Sequence, residues 1–327
     1  MKIFTMRFAI IATAPCVVSV SLLAQPLPQD YPAKPIRLIV PWVAGGGTDI
    51  VARIITQRLA ESLGQPIVID NRPGANGILG AEIAAKAPPD GYTMVLHAVE
   101  HFINASVYGK LPYDTVKDIA PVTMVATHYL VLIVSPAAPT KSVAELVALA
   151  KSKPAQLNFG SWGTGSLAQL SGELLKSMAA ASMTHVPFKG APQAATDVMA
   201  GRISFMFTTM PTGLPQIQAG RLRALAVTSA QRLPFLADVP TMIESGYPGF
   251  EVQSWRGLYV PAKTPRRVID MLHDQTVKVI QISEVRDRVL AAGFGVVTST
   301  PAELAAFSKS ELEKWAKVAK DAGVHID

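Results

Sequence analysis

The 327-residue chain is 49% hydrophobic and 17% charged, with a formal net charge of +6 and a single cysteine. That balance excludes a disordered protein, and the length exceeds the usual single core, so two domains are expected. Basic residues are scattered, not gathered into runs. This argues against nucleic acid as a partner and leaves only a mild attraction for acidic ligands.

The chain opens with Lys2 and Arg7 ahead of an apolar run from Phe8 to Ala24, interrupted by Pro15, Ser19 and Ser21. A basic start followed by a short apolar stretch reads as an export signal, residues 1–24, with cleavage after Leu22-Leu23-Ala24. The run sits near the lower length limit of a membrane span, which is the competing reading. Thr13-Ala14-Pro15 before Cys16 argues against lipid attachment there. With Cys16 removed, the mature chain has no disulfide, thiolate nucleophile or thiolate metal site, and export without disulfides suits a bacterial periplasm.

Beyond the leader, Ile36–Val40 reads as a buried strand. A glycine segment follows, and then a helix over Asp49–Leu63 with Ile50, Ile54, Ile55 and Leu59 on one stripe and Gly64 as its stop. Strands are predicted at 66–69 and 92–96, with a helix near 78–86 between them. This alternation is that of an α/β sheet, whose ligands sit outside the carboxyl ends of strands. A second alternating unit has a strand at 130–134, a helix opened by the capping box Ser142-Val143-Ala144-Glu145, and a short strand at 157–159 running into another glycine segment. A helix at 167–178 comes next. Strand-like 185–186, helix-like 193–200, strands at 203–207 and 222–227, an extended 252–260 and a helix at 265–280 follow. A last amphipathic helix is capped by Thr300-Pro301-Ala302-Glu303, with Leu304, Phe307, Leu312 and Trp315 on its buried side.

The two glycine segments carry the chemistry. Ala44-Gly45-Gly46-Gly47-Thr48-Asp49 and Gly160-Ser161-Trp162-Gly163-Thr164-Gly165-Ser166 each precede a helix. A helix N-terminus has unpaired amides and a partial positive charge, and glycine lets an anion approach the backbone. Two such segments facing one another would grip one carboxylate. On the residues alone, a tight turn with an N-cap from Thr48 or Asp49 is the more economical reading. Neither segment is a phosphate loop, since no Lys-Ser or Lys-Thr follows the glycines, and Phe159 two before Ser161 excludes a nucleophile elbow. His97-Ala98-Val99-Glu100-His101 has the H-x-x-E-H spacing of one zinc-peptidase class. Since His97 ends a strand pattern, its side chain and that of His101 are expected to diverge, so no metal is predicted.

Pro41-Trp42-Val43-Ala44-Gly45-Gly46-Gly47-Thr48-Asp49, Asp70-Asn71-Arg72-Pro73-Gly74-Ala75-Asn76-Gly77, Pro89-Asp90-Gly91-Tyr92-Thr93, Leu111-Pro112-Tyr113-Asp114, Val186-Pro187-Phe188-Lys189-Gly190 and Ser254-Trp255 occur in this order. Together they resemble the substrate-binding receptors of tripartite tricarboxylate transporters, the Bug family. The resemblance implies an α/β periplasmic binding protein fold of type II-like form, two domains each with a mixed sheet flanked by helices, and a ligand cleft between them. It implies that residues 25–126 and 249–327 form one domain and 127–248 the other. It further implies a monomer without cofactor or catalysis that hands a small organic acid to membrane permease subunits. A sensor kinase served by the same cleft, or a periplasmic hydrolase, are the rival functions.

The resemblance places the carboxylate against backbone amides and hydroxyls of the two glycine loops: Ala44, Gly45, Gly46 and Thr48 on one side, Ser161, Gly163, Thr164, Gly165 and Ser166 on the other. Asp49 is read as orienting its loop. His101 and Asn104 match the family's pocket loop, whereas Glu100 stands where a small or hydroxyl residue is expected. Trp42, Phe188 and Trp255 adjoin loops at domain faces, where stacking on an apolar acid competes with a plain core role. Phe207-Thr208-Thr209 lacks the aspartate that often follows Phe in the family, so Thr208 offers no partner for a ligand ammonium. Arg256 follows Trp255 where an uncharged residue is common. It is expected either to reach a second acidic group, favouring a non-amino dicarboxylate or aromatic acid, or to lie in solvent.

Overall fold

In a computed structural model, residues 31–321 and 324–325 are described. The export signal expected at 1–24 lies outside them. Of the described helices, none is long and apolar enough to cross a membrane.

Strand β1 (Ile36–Val40) is almost wholly buried and pairs in parallel with β2 (Ile67–Asn71) and β3 (Thr93–Ala98). Helix α1 (Gly47–Leu63) follows β1 and stops at Gly64, whose left-handed backbone caps it. After α2 (Ile78–Ala85) and β3 comes α3 (Glu100–Val107), a helix where the sequence suggested a loop. Strand β4 (Ile119–Val134) is the long element of the fold, 16 residues, although only its last third is legible as a strand. Pro121 obscures the rest, and the register shift between Pro121 and Thr123 is how the ladder accommodates it.

The following segment supplies α4 (Val143–Ser152), β5 (Asn158–Ser161), α5 (Leu167–Ala179), β6 (Thr184–Pro187), α6 (Ala191–Met199), β7 (Phe205–Thr209), α7 (Met210–Gln218) and β8 (Arg223–Val227). As the capping box predicts, Ser142 accepts the Glu145 amide at 3.1 Å. The chain returns as β9 (Gln253–Pro261), α8 (Arg266–Gln281), α9 (Ser283–Ala291), β10 (Gly295–Val296) and α10 (Pro301–Asp321). Helix α8 buries Val268, Ile269, Leu272, Val279 and Ile280 along one stripe. Each large aliphatic side chain so buried contributes about 1.5–3 kcal/mol before entropy is subtracted.

The strands run β2-β1-β3-β9-β4-β7-β5-β6, with β8 and β10 also on β4. The first part of β4 pairs antiparallel with β9 and β10, while Leu130 to Val134 pair with β7 and β8. Two mixed sheets flanked by helices therefore share one strand. Parallel β1, β2 and β3 point their carboxyl ends, and the turns after them, toward the turns after parallel β5, β6 and β7, where a cavity opens.

Candidate functional site

A cavity of about 30 Å³ is lined by Trp42, Val43, Gly46, Gly47, Thr48, Glu100, Trp162, Gly190, Ala191, Thr209 and Arg256. Four helices begin at it. Gly46 is the N-cap of α1, Glu100 the first residue of α3, Gly190 the N-cap of α6 and Thr209 the N-cap of α7, and no side chain caps any of the four. Their unpaired amides and aligned dipoles make the cavity favourable for an anion.

The first glycine loop is held from within. Gly45 adopts φ +77, a left-handed backbone, and donates its amide to Asp49 Oδ2 at 2.9 Å. The same carboxylate accepts from Arg53 and Asn71. Burial acts to raise the Asp49 pKa, but these donors outweigh it and hold the carboxyl below its ordinary value. Asp49 thus orients the loop, Ala44 and Gly45 stand exposed on its crest, and Gly46, Gly47 and Thr48 reach the cavity.

The second glycine loop departs from expectation. Gly163 N donates to Ser161 Oγ, Gly165 N to Gln169 Oε1 at 2.7 Å, and Ser166 N to Gly163 O. Ser166 Oγ caps α5 by accepting from Gln169 N. Three amides assigned to an anion are therefore spent inside the loop. Ser161 Oγ lies 2.6 Å from His185 Nε2, yet the serine is fully buried and lines neither cavity. Burial pushes the His185 pKa down to about 4, with Lys176 adding to it. The α6 N-terminus at Gly190 and Ala191 takes the position expected of this loop, and only Trp162 of the segment reaches the inner cavity.

Arg256 is 4% exposed, which overturns the solvated alternative. Its Nη1 donates to Ser254 Oγ at 2.7 Å and to the Trp255 carbonyl at 2.9 Å, while Nε is buried without a partner. Burial lowers its pKa to about 10, an effect opposed by Glu100. Glu100, 2% exposed, accepts the Trp162 indole N–H on Oε1 at 3.1 Å, and its Oε2 has no partner. Opposite charges line one small cavity, and no ion pair among the described residues joins them.

Outward lies a wider cavity of about 550 Å³, which shares Trp42, Val43 and Trp162 with the inner one and adds Tyr108, Phe188, Lys189, Asn76, Gly163 and Thr164. Trp42, Tyr108, Trp162 and Phe188 give its walls an aromatic character.

Several expected contacts lie elsewhere. Trp255 is core: its indole donates to Glu311 and its ring packs on Phe102 and Phe307. Thr208 faces the interior and its neighbour Thr209 faces the cavity, because successive strand side chains point to opposite sides. His101 bonds the Thr115 carbonyl at 3.0 Å, away from both cavities. Its ring stacks on that of His97 with centroids 3.9 Å apart, so the predicted divergence is wrong. The first turn of α3 folds back over the end of β3 and brings the rings together. Among the described residues, no group of three metal-ligating side chains forms. Asn104 exchanges hydrogen bonds with Asn76 and so shapes the outer rim without lining it.

Comparison with known proteins places the chain in a family. A model described as the tripartite tricarboxylate transporter family receptor matches residues 51–324. BugT of Bordetella pertussis is 35% identical over 307 residues, 93% of this chain and 94% of that protein. The periplasmic binding protein BugD superposes with a TM-score of 0.86 at 31% identity, covering 90% of this chain and 99% of its own. An R. palustris protein solved with adipate superposes with a TM-score of 0.88 at 35% identity, again over 90% and 99%. The chain therefore belongs to the tripartite tricarboxylate transporter receptors, periplasmic solute-binding proteins of two-domain α/β fold.

Proposed function

We propose that this protein is exported to the periplasm, captures a small organic acid in its cleft without turning it over, and presents the occupied form to the membrane subunits of a tripartite transporter. The lobes are taken as 25–126 with 249–327, and 127–248. The observation that carries the reading is Arg256, a buried guanidinium with an unpartnered Nε at a cavity where four uncapped helices begin. A ligand carboxylate there accepts from the guanidinium and from the amides of Gly47 and Thr48. Its body extends between the aromatic walls of the outer cavity, since about 30 Å³ has room for only two or three waters. Four charge-assisted hydrogen bonds of about 1.5–3 kcal/mol each are enough, after ordering costs, for a micromolar dissociation constant near about −8 kcal/mol. Adipate on a structural neighbour supports the carboxylate class.

Thermal-shift and calorimetric titration against mono-, di- and tricarboxylates tests this, because a ligand of the folded state raises Tm by linkage. At least one acid should bind with a micromolar constant, and Arg256→Met should weaken it about 10- to 150-fold. If no acid in the panel shifts Tm, the reading fails.

A further inference from the structure

Glu100 is the group that carboxylate capture leaves unused. It is the first residue of α3, lines the inner cavity, is 2% exposed, and has one oxygen engaged by Trp162 Nε1 at 3.1 Å. The other oxygen, Oε2, is buried with no donor. A buried carboxylate oxygen left unsatisfied is costly, and an ionised carboxylate only accepts hydrogen bonds. A ligand carboxylate brought to Arg256 would add a second negative group in the same small space. That arrangement is favourable when the ligand itself places a donor toward Glu100.

The geometry points to Glu100 as a specificity-determining residue: the preferred acid carries a hydroxyl or ammonium donor on the carbon next to its carboxylate, with the carboxylate on Arg256 and the donor on Glu100 Oε2. This rests on the carboxylate-binding reading above and names the ligand class within it. Arg256 and Glu100 line one cavity without pairing, so each is left to a complementary half of the ligand. The Trp162 bond fixes the carboxylate, because it ties the corner after β3 to the loop after β5 and leaves Oε2 without a donor.

Two matched trios test it by calorimetry: succinate, malate and aspartate, and phenylacetate, mandelate and phenylglycine. Within each trio the body is constant while the donor is absent, hydroxyl or ammonium, so the two donor chemistries separate. The wild type should bind one donor-bearing member at least about tenfold tighter than the unsubstituted acid, as expected for one hydrogen bond to a charged group. Glu100→Gln should shrink that ratio at least about tenfold where the donor is ammonium, with its ligand-free Tm confirming the fold. The inference is overturned if the tightest-binding acid of the wider panel bears no hydroxyl or amine, a wild-type measurement that needs no variant. It is also overturned if Glu100→Gln weakens all members of a trio equally. Absence of binding by every acid instead overturns the carboxylate reading itself.

Discussion

Gly47→Ala separates the binding role of the α1 N-terminus from its folding role. A Cβ built on Gly47 meets Arg256 Nη2, Phe294 Cζ and Thr209 Oγ1, each at 3.5 Å, ordinary contact distances that demand no rearrangement. The residue sits in the first turn of α1, so alanine is tolerated there and is expected to stabilise the fold by up to about 1 kcal/mol. For a domain of this size that is a rise in Tm of about 2–4 °C. Gly47 and two of the residues the methyl would touch, Arg256 and Thr209, line a cavity of about 30 Å³, where a single water already needs about 10–15 Å³. A carboxylate pushed back by the methyl loses one charge-assisted hydrogen bond, about 1.5–3 kcal/mol, or an affinity loss of about 10- to 150-fold. Calorimetry with the tightest acid, beside a melt of the ligand-free variant, reads both quantities. Affinity within twofold of wild type would show that the carboxylate does not sit at this helix start.

Two further outcomes follow from burial. Gly172 faces Phe159, and an alanine Cβ there would overlap a ring that is itself fully buried; Gly172→Ala should cost about 1–3 kcal/mol by overpacking, read as a lower midpoint in urea with unchanged slope. Burial holds the imidazoles of His97 and His128 well below their ordinary value, with His101 and Arg256 respectively as lesser causes, and lowers that of His101 to about 4. The unfolded chain protonates them near about 6.5 and the folded chain only at lower pH, so stability is complete above that value and declines as pH falls toward 4. Melting temperature measured from pH 7 to 4.5 should fall steadily, and His128→Leu should reduce the slope; a flat profile would refute the account.

Local pattern predicted much of this molecule. The amphipathic stripe of α1, the Ser142 box and the buried run of β1 each state their element in a few residues. Helix α7 is not legible in the sequence because Pro211, Gly213 and Pro215 disfavour a helix; Pro211 falls in the first turn, where proline is well placed, while Pro215 lies inside the helix. The candidate site was half legible. Gly46 and Thr48 at the start of α1 and Arg256 on β9 do reach the cavity, but whether the amides of the second glycine loop are free depends on Gln169 and Ser161, side chains that fold back onto it. Gly190 and Ala191 carry a signal in Pro192, since proline suits the first turn of a helix, although only Gly190 falls within the motif that carries the resemblance. Thr209 was displaced by one position, since strand phase is decided by pairing with Val131 and Leu130 and not by composition. Trp255 was decided by α10, through Glu311, 56 residues away.

The sharing of β4 bears on how an acid enters. At Leu130 the strand is tied to Thr228, whose hydroxyl accepts the Leu130 amide at 2.9 Å and donates to the Val252 carbonyl at 2.6 Å, so three segments of the chain meet at one level. Arg256 lies close by, opposite Ala126 of β4, whereas Trp42 and Phe188 stand at the far rim. On the proposed carboxylate-binding reading, an arriving anion therefore meets a guanidinium already moored by the Ser254 hydroxyl and the Trp255 carbonyl.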